Sequence, residues 1–208
     1  MTTAPRIRPA TPADAPAIAE IYNEGIRDRV ATFETRERTA DDVAAWLGAP
    51  RHPVLVAEAD GAVAGWIAAS TYRDRVCYAG IAEFSVYVRR TVRGRGIGEA
   101  LMAAFLPACE AAGLWKLLSR IFPENTASRA LCRRHGFREV GIYEKHARLD
   151  GAWRDVVIVE RLLGEARDGG DAGEANRAAA AGGRAAASRT SRSTPAAEPP
   201  RLTSPPVP

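Results

Sequence analysis

Apolar residues near the amino terminus recur at helical spacing. Between residues 18 and 26 they lie three or four positions apart, which predicts a helix over about residues 12–27. A short edge-like strand, residues 6–8, precedes this helix. Thr39 is placed to cap a second, short helix that ends near Leu47. The chain therefore opens in the order strand, helix, helix.

The next part of the chain has the composition of strands. The run PVLVAEADGAVAGWIAAS contains two stretches rich in valine, alanine and isoleucine around Asp60-Gly61, a pair typical of a type I′ turn. This pattern predicts a hairpin, and AEFSVYV (residues 82–88) predicts a further strand. The remaining predicted elements are a helix 96–112, a strand 116–122, a helix 126–135 and a hairpin of residues 140–148 and 153–163 about Asp150-Gly151.

Glycine and proline mark the ends of the predicted helices. Gly113 follows the third helix, and Gly136 follows the fourth, as expected of residues that end helices. Pro107 lies inside the third helix and removes a backbone donor, so we expect a bend or an early end there. The element order β-α-α-β-β-β-α-β-α-β-β predicts an α/β fold, a mixed sheet covered by helices.

Composition changes sharply after Leu163. The segment 164–208 consists mainly of alanine, glycine, arginine, serine and proline, and Leu202 and Val207 are its large aliphatic residues. Such a segment buries too little apolar surface to offset the entropy of ordering. We therefore expect a folded domain over residues 1–163 and a disordered tail over residues 164–208.

The charge of the chain excludes some partners. The net charge is +4, and the last 45 residues hold six arginines against five acidic residues, which leaves the body 23 basic to 20 acidic residues. That margin is too small for a nucleic-acid-binding protein, which usually has a concentrated basic face. Local clustering at Arg89, Arg90, Arg93 and Arg95 suits a small polyanion instead.

Cysteine and histidine are sparse and irregularly spaced. The odd set Cys77, Cys109 and Cys132 contains no CxxC pair, which favours a reducing, cytoplasmic location. The three histidines have no metal-ligand spacing, so we expect no metal. No apolar run approaches the roughly 20 residues that cross a bilayer, and we expect no membrane partner.

Three glycines precede the predicted third helix in the run VRGRGIG, residues 92–98. Glu99 stands where a dinucleotide-binding GxGxxG motif would have its third glycine, and no Gly-Lys-Ser/Thr follows as in a P-loop. Backbone N–H groups at a helix start have no intrahelical partners, and glycine allows a phosphate to approach them. A phosphate site is therefore one interpretation, and a glycine turn with solvated arginines is the other.

Two motifs resemble the GNAT N-acetyltransferases. Arg93-x-x-Gly96-x-Gly98, after a strand that ends in valine, resembles the loop of that family that binds the pyrophosphate of acetyl-CoA. Asn125-Thr-Ala-Ser128, followed by Leu131 and Gly136-Phe137, resembles the family's next motif. The resemblance covers about residues 6–163 and implies the GNAT fold, with acetyl-CoA as co-substrate and no metal.

The resemblance also implies which residues contact acetyl-CoA. The strand before the glycine loop would bind the pantetheine arm through its backbone, and the loop would bind the phosphates. These residues are Val86, Tyr87, Val88, Arg93, Gly94, Arg95, Gly96, Ile97, Gly98 and Glu99, with Asn125 and Ser128 near the pantetheine. The alternative role of Asn125 is to cap the following helix.

Longer stretches narrow the resemblance to one subgroup. AEFSVYV, GIYEKHARLDGAWRDVVIVERL and STYRDRVCY together resemble the phosphinothricin and methionine-sulfone acetyltransferases, which include arsinothricin-resistance enzymes. This implies acetylation of the α-amino group of a small amino-acid analogue, by a homodimer. The phosphinothricin enzymes carry His-Gly-x-Trp where this chain has Asp150-Gly-Ala-Trp153, which speaks against phosphinothricin itself.

Transfer to an α-amino group requires a base, because that group has a pKa of about 8 and is mostly protonated at neutral pH. Glu83 interrupts an otherwise apolar strand next to the glycine loop, and the resembled subgroup has its proposed general base there. The alternative is an edge glutamate paired with an arginine. Many GNAT enzymes have, where this chain has Cys132, a tyrosine that acts as the general acid and protonates the leaving CoA. Cys132 either takes that role through its thiol or is a packing residue, so the general acid stays unassigned.

A substrate carboxylate favours arginine as its partner, because a guanidinium binds it through two parallel hydrogen bonds. The loop YRDRVCY supplies Arg75 and Tyr78 as first candidates and Tyr72 and Arg73 as second ones, where the resembled subgroup binds substrate. Solvated loop arginines are the alternative. Two other functions stay open: an acyl-CoA-binding regulatory module without catalysis, and an acetyltransferase for protein N-termini or polyamines.

Overall fold

A computed structural model describes residues 4–47 and 52–168 of the chain. The strands are β1 Arg6–Pro9, β2 Val54–Ala59, β3 Ala62–Thr71, β4 Ile81–Val88, β5 Lys116–Ile121, β6 Arg138–Leu149 and β7 Ala152–Leu162. The α-helices are α1 Ala15–Asp28, α2 Ala40–Leu47, α3 Ile97–Ala111, α4 Thr126–Arg134 and α5 Glu165–Asp168. Short 3₁₀ turns occupy Pro12–Asp14, Val76–Tyr78 and Arg90–Val92. Up to Leu163 the predicted order of strands and α-helices is confirmed.

The strands form one seven-stranded mixed sheet in the order β1-β2-β3-β4-β5-β7-β6. Neighbouring strands are antiparallel except β4 and β5, which are parallel. The helix α3 connects these two strands, as the long connection between parallel neighbours requires. The predicted α/β architecture is therefore confirmed.

Side chains alternate across the sheet and build a core on each face. On one face Trp66, Val56 and Tyr87 pack against α1 and α2. On the other face Ile67 and Phe84 pack against the helices α3 and α4. This alternation explains why β2, β3 and β4 read as nearly continuous apolar runs, because both faces of the central strands are covered.

Two hairpins have the predicted turn geometry. Asp60 and Gly61 have φ of 53° and 77°, and Asp150 and Gly151 have φ of 49° and 81°. Positive φ at both central residues is the requirement of a type I′ turn, and aspartate followed by glycine tolerates it well. The two turns are therefore determined by local sequence.

Helix α3 continues through Pro107, where a bend or an early end was expected. The expected early end is wrong because the helix buries Phe105 and Cys109 on either side of the proline in the core. That burial outweighs one lost hydrogen bond. The helix ends as predicted at Gly113 (φ 78°), whose N–H donates to Glu110 O at 2.9 Å.

The described chain extends a little beyond the predicted domain. Leu163 is fully buried, and the first residues of the predicted tail include the short helix α5. The rest of that tail, residues 169–208, lies outside the described residues. No helix in the described part of the chain combines the length and apolar character that a bilayer crossing requires.

Candidate active site

The strands β4 and β5 separate shortly after they begin. Their parallel register covers Ile81 to Glu83 on β4, where Glu83 lies opposite Leu118. Both strands then continue, β4 to Val88 and β5 to Ile121, without further pairing to each other. The separation opens a wedge in the middle of the sheet and leaves one edge of β4 available for hydrogen bonding.

This wedge, which we call the cleft, has a cavity volume of about 50 Å³ and is open to solvent on one side. Residues 84–87 of β4 form one wall, and residues 119–122 at the end of β5 form the other. Asn125, Ser128 and Cys132 close it from the side of α4, and Ala31 closes it from the segment after α1. A narrow space of this kind suits an extended, thin ligand that lies along β4.

Backbone alternation indicates which groups of β4 face the cleft. The N–H of Arg89 donates to Ala64 O at 2.8 Å, so Arg89 faces the neighbouring strand β3. Because the backbone N–H and C=O groups of successive residues point to opposite sides of a strand, those of Val86 and Val88 point away from β3, toward the cleft side. The backbone groups of Tyr87 point toward β3 instead, since its carbonyl oxygen would lie 2.8 Å from a Cβ built on Gly65 of that strand.

The glycine loop presents an open backbone surface at the start of α3. Gly94 and Gly96 have φ of 78° and 79°, and a Cβ built on either would meet no atom within 4 Å. The first hydrogen bond of the helix runs from Ala100 N–H to Gly96 O at 3.0 Å. The N–H groups of residues 97–99 therefore have no acceptor within the helix and can bind an anion.

The arginines around this loop have acidic partners. Arg93 Nη1 lies 2.9 Å from Asp28 Oδ2, and Arg90 forms an ion pair with the same carboxylate. Burial disfavours the charged form of Asp28, but the hydrogen bonds from both arginines outweigh it and lower the pKa of that carboxyl. Arg95 lies 3.8 Å from Asp60. The guanidinium groups are thus held in position by carboxylates, although Arg93 and Arg95 remain about half exposed.

Glu99 turns its side chain toward the end of α4. Its carboxylate lies 3.1 Å from Arg134 Nε and 2.8 Å from His135 Nε2. An acidic side chain would repel a phosphate, so the part of Glu99 that can bind one is its backbone N–H in the first turn of α3. The side-chain contacts instead connect α3 to α4.

Asn125 caps α4, which confirms the alternative role considered for it. Its Oδ1 accepts a hydrogen bond from Ser128 N–H at 3.1 Å, and its Nδ2 donates to Val30 O at 3.2 Å. Both Asn125 and Ser128 also line the cleft. The cap does not exclude a contact with a ligand, because the side chain lies at the cleft surface.

Glu83 is the last residue of β4 that pairs with β5, directly before the cleft wall at Phe84, and it forms an ion pair with Arg120 on β5. The pair corresponds to the alternative in which an edge glutamate binds an arginine. The sequence analysis did not single out Arg120, although a charged residue in the largely apolar segment LLSRIF was a usable signal. The structure therefore brings a carboxylate and a guanidinium together where β4 and β5 part.

The loop between β3 and β4 carries the four predicted substrate residues. Tyr72 and Tyr78 pack edge to face with ring centroids 5.8 Å apart, and the Arg73 guanidinium lies 5.3 Å from the Tyr72 ring. Arg75 is exposed, and the next residue, Val76, is 93% exposed. None of the four lines the cleft in the described part of the chain, although their loop leads directly into the strand of Glu83.

Cys132 is buried in the core beneath the cleft. Burial raises the pKa of the Cys132 thiol to about 12, which makes it a weak acid at neutral pH. Packing is therefore the role that its surroundings favour. The described residues contain no group of three or more side chains suited to hold a metal ion.

The structure thus combines a sheet that opens between the parallel neighbours β4 and β5 with a glycine loop directly after β4, the two features that the resemblance to the GNAT acetyltransferases implies. The acetyltransferase (GNAT) family model matches residues 17–137, and the chain belongs to this family. The resemblance of the glycine loop and the Asn125 motif to this family is thereby confirmed.

Several relatives are named for the acetylation of amino-acid analogues. A phosphinothricin N-acetyltransferase from Streptomyces coelicolor is 33% identical over 164 residues, which cover 76% of this chain and 96% of the relative. An L-methionine sulfoximine/L-methionine sulfone acetyltransferase from Pseudomonas paraeruginosa is 33% identical and covers 77% and 96%. A phosphinothricin acetyltransferase from Sinorhizobium meliloti, crystallised with AcCoA, has a TM-score of 0.74 at 32% identity and covers 78% and 90%.

Proposed function

We propose that this protein acetylates the α-amino group of a small amino acid or toxic amino-acid analogue, with acetyl-CoA as the acetyl donor. The observation that carries the proposal is the cleft along residues 84–87 of β4, which begins where β4 and β5 part after Glu83; the glycine loop follows β4 along the chain. The named relatives act on phosphinothricin or on methionine sulfoximine and methionine sulfone, which supports the substrate class.

The described residues fit acetyl-CoA. Five residue steps from Glu83 to Val88 span about 17 Å of strand, a length suited to an extended arm. Val86 and Val88 would pair with the arm through their backbone groups, and Asn125 and Ser128 would contact it from α4. The phosphates would lie on the N–H groups of residues 94–99, beside Arg93 and Arg95. When bound there, acetyl-CoA supplies an activated acetyl thioester.

Glu83 would act as the base. It accepts a proton from the substrate ammonium group, which frees the nitrogen lone pair for acetylation. Holding both reactants in one complex supplies much of the acceleration, because no separate encounter is then required. N–H groups on the cleft edge of β4 can stabilise negative charge that develops on the acetyl oxygen. Cys132 is not assigned as the acid, since its thiol is buried and weakly acidic.

The loop residues Arg75, Tyr78, Tyr72 and Arg73 would bind acidic or oxidised groups of the substrate. Arg75 is exposed in the loop that precedes β4, so a small anion can reach it without displacing packed side chains. We place methionine sulfone ahead of phosphinothricin as substrate, because this chain lacks the histidine of His-Gly-x-Trp. Asp150, which stands there, lies 2.9 Å from Arg29 Nε.

A homodimer in the cytoplasm is the proposed state of the enzyme. Strand β6 is at the edge of the sheet and exposes Val140, Ile142 and Tyr143, which supports its burial against a second copy. The cytoplasmic location is supported by Cys77, Cys109 and Cys132, which are all free thiols, as expected in a reducing compartment. Light scattering of purified protein at several concentrations tests the dimer, and a monomer throughout would contradict it.

The experiment for the proposed function has two parts. Calorimetry with coenzyme A should show binding, and a thiol-release assay with acetyl-CoA should show turnover with methionine sulfone, methionine sulfoximine or arsinothricin. Phosphinothricin, spermidine and an alanine-initiated peptide complete the panel. Binding without turnover on any amine would favour a regulatory acyl-CoA-binding module. Turnover confined to spermidine or the peptide would favour an acetyltransferase for polyamines or protein N-termini.

A further inference from the structure

One charged side chain lines the cleft. Among the described residues that form its walls, Arg120 is the one with a formal charge. Arg120 lies two residues beyond Leu118, the register partner of Glu83, so its side chain leaves β5 on the same face as that of Leu118. Its guanidinium reaches back to the Glu83 carboxylate, and 39% of the Arg120 side chain is exposed.

Glu83 and Arg120 together form a receptor of opposite charges. An α-amino acid carries an ammonium group and a carboxylate on the same carbon, so its two charges are as close together as those of the ion pair. In a zwitterion bound between the two side chains, the ammonium group would contact Glu83 and the carboxylate would contact Arg120. The exchange replaces one ion pair by two, and a partly exposed pair is easily separated.

We propose that Arg120 is a specificity-determining residue that binds the α-carboxylate of the substrate, while Glu83 binds and deprotonates the α-amino group. This inference rests on the proposed function and names the carboxylate receptor within the same site. The loop arginines Arg75 and Arg73 are then available for the second acidic or oxidised group of the substrate. Amines without an α-carboxylate, such as polyamines, would leave Arg120 bound to Glu83 and would be poor substrates.

The test compares two amines that differ at the α-carboxyl group alone: methionine sulfone and its α-carboxamide. Arg120→Gln should lower kcat/KM for methionine sulfone about 10- to 100-fold, mainly through the KM of the amine, because a charge-assisted bidentate contact is lost. With the carboxamide the same variant should change kcat/KM less than about threefold, because that amine has no carboxylate for Arg120 to bind. Each amine is compared with itself across variants, so its own basicity cancels.

Two further variants serve as a control and as a conservative substitution. Arg138→Gln removes an arginine that pairs with Glu160 between neighbouring strands outside the cleft, and it should affect neither amine. Arg120→Lys keeps the positive charge and loses the bidentate geometry, so its loss on methionine sulfone should be smaller than that of Arg120→Gln. If Arg120→Gln does not fold, Arg120→Lys takes its place with the same two amines. The KM for acetyl-CoA should stay unchanged in all three variants.

The outcomes separate this inference from the proposed function. Equal losses on both amines, or an unchanged kcat/KM for methionine sulfone, would show that Arg120 only supports the structure and would overturn the assignment. Wild-type protein that releases no thiol with any amine of the panel would overturn the proposed function, and this assignment with it.

Discussion

The side-chain amide of Asn125 donates a hydrogen bond to the carbonyl oxygen of Val30, with 3.2 Å between Nδ2 and O. The two residues are 95 positions apart, and the contact attaches the segment after α1 to the start of α4. The other end of the same amide caps α4 through Ser128. Asn125 thus connects the cleft wall, the helix start and the covering segment.

The two roles of Asn125 can be separated by substitution. Serine caps helices about as well as asparagine, whereas alanine costs about 1 kcal/mol. Both variants lose the hydrogen bond to Val30, so Asn125→Ala should be about 1 kcal/mol less stable than Asn125→Ser, which keeps a cap. Both variants should raise the KM for acetyl-CoA, since both lack the amide. Urea unfolding and steady-state kinetics measure the two effects. A normal KM in Asn125→Ser would restrict Asn125 to its structural contacts, the cap of α4 and the hydrogen bond to Val30.

Gly96 and Gly113 form a matched pair for testing the phosphate site. Both have φ near 78°, and neither would bring a Cβ within 4 Å of another atom, but they lie at opposite ends of α3. Alanine at either position should therefore lower the unfolding free energy by a similar amount, about 1 kcal/mol, from backbone strain. Gly96→Ala alone should weaken acetyl-CoA binding, about tenfold or more by calorimetry, because its Cβ occupies the anion surface. Equal affinities in the two variants would argue against this surface.

Glu83→Gln should lower kcat about 100-fold or more, because glutamine has nearly the same shape and cannot accept the substrate proton. The Kd for acetyl-CoA should change little, since Glu83 lies beyond the reactive end of the cleft. The measurement is the rate of thiol release with saturating amine, beside calorimetry of the same preparation. A variant that retains at least half of the wild-type kcat would remove Glu83 from the mechanism.

Arg75→Ala should raise the KM of the amine about tenfold, as expected for the loss of a hydrogen bond to a charged group. The KM for acetyl-CoA should remain close to the wild-type value, because the loop between β3 and β4 is remote from the glycine loop. Val76→Ala is the control, since Val76 is the exposed neighbour of Arg75. Equal changes in both KM values would indicate that Arg75 acts on the fold of the loop.

The ionisation of Asp14 makes the unfolding free energy depend on pH in the acid range. Hydrogen bonds from Arg8 at 2.8 Å, opposed by burial and assisted by Thr11, lower the pKa of Asp14 from 3.8 to about 2. The shift corresponds to about 2 kcal/mol, present above the unfolded pKa near 4 and lost as pH falls toward 2. Asp14→Asn should therefore be less stable than wild type by about 2 kcal/mol at pH 7, with the difference shrinking toward pH 2. Urea unfolding at both pH values measures it, and a difference independent of pH would contradict the assignment.

Much of the local structure could be predicted because its causes lie within a few residues. Aspartate followed by glycine set the type I′ turns, Thr39 capped α2, and Gly113 ended α3. The glycine loop was also local, since three glycines before a helix expose its first N–H groups. Pro107 is a case that local sequence did not decide, because the helix continues through it with Phe105 and Cys109 buried in the core.

The amino-acid sequence by itself determined the order of the elements, the anion surface at the start of α3 and the carboxylate on β4. Only the tertiary structure decided that β4 and β5 part after Glu83, that Asp28 holds Arg93, and that Arg120 faces Glu83. The physical reason is separation along the chain: Asp28 and Arg93 are 65 residues apart, and Glu83 and Arg120 are 37 apart. Such contacts depend on how the whole sheet and its helices pack, and no local pattern specifies them.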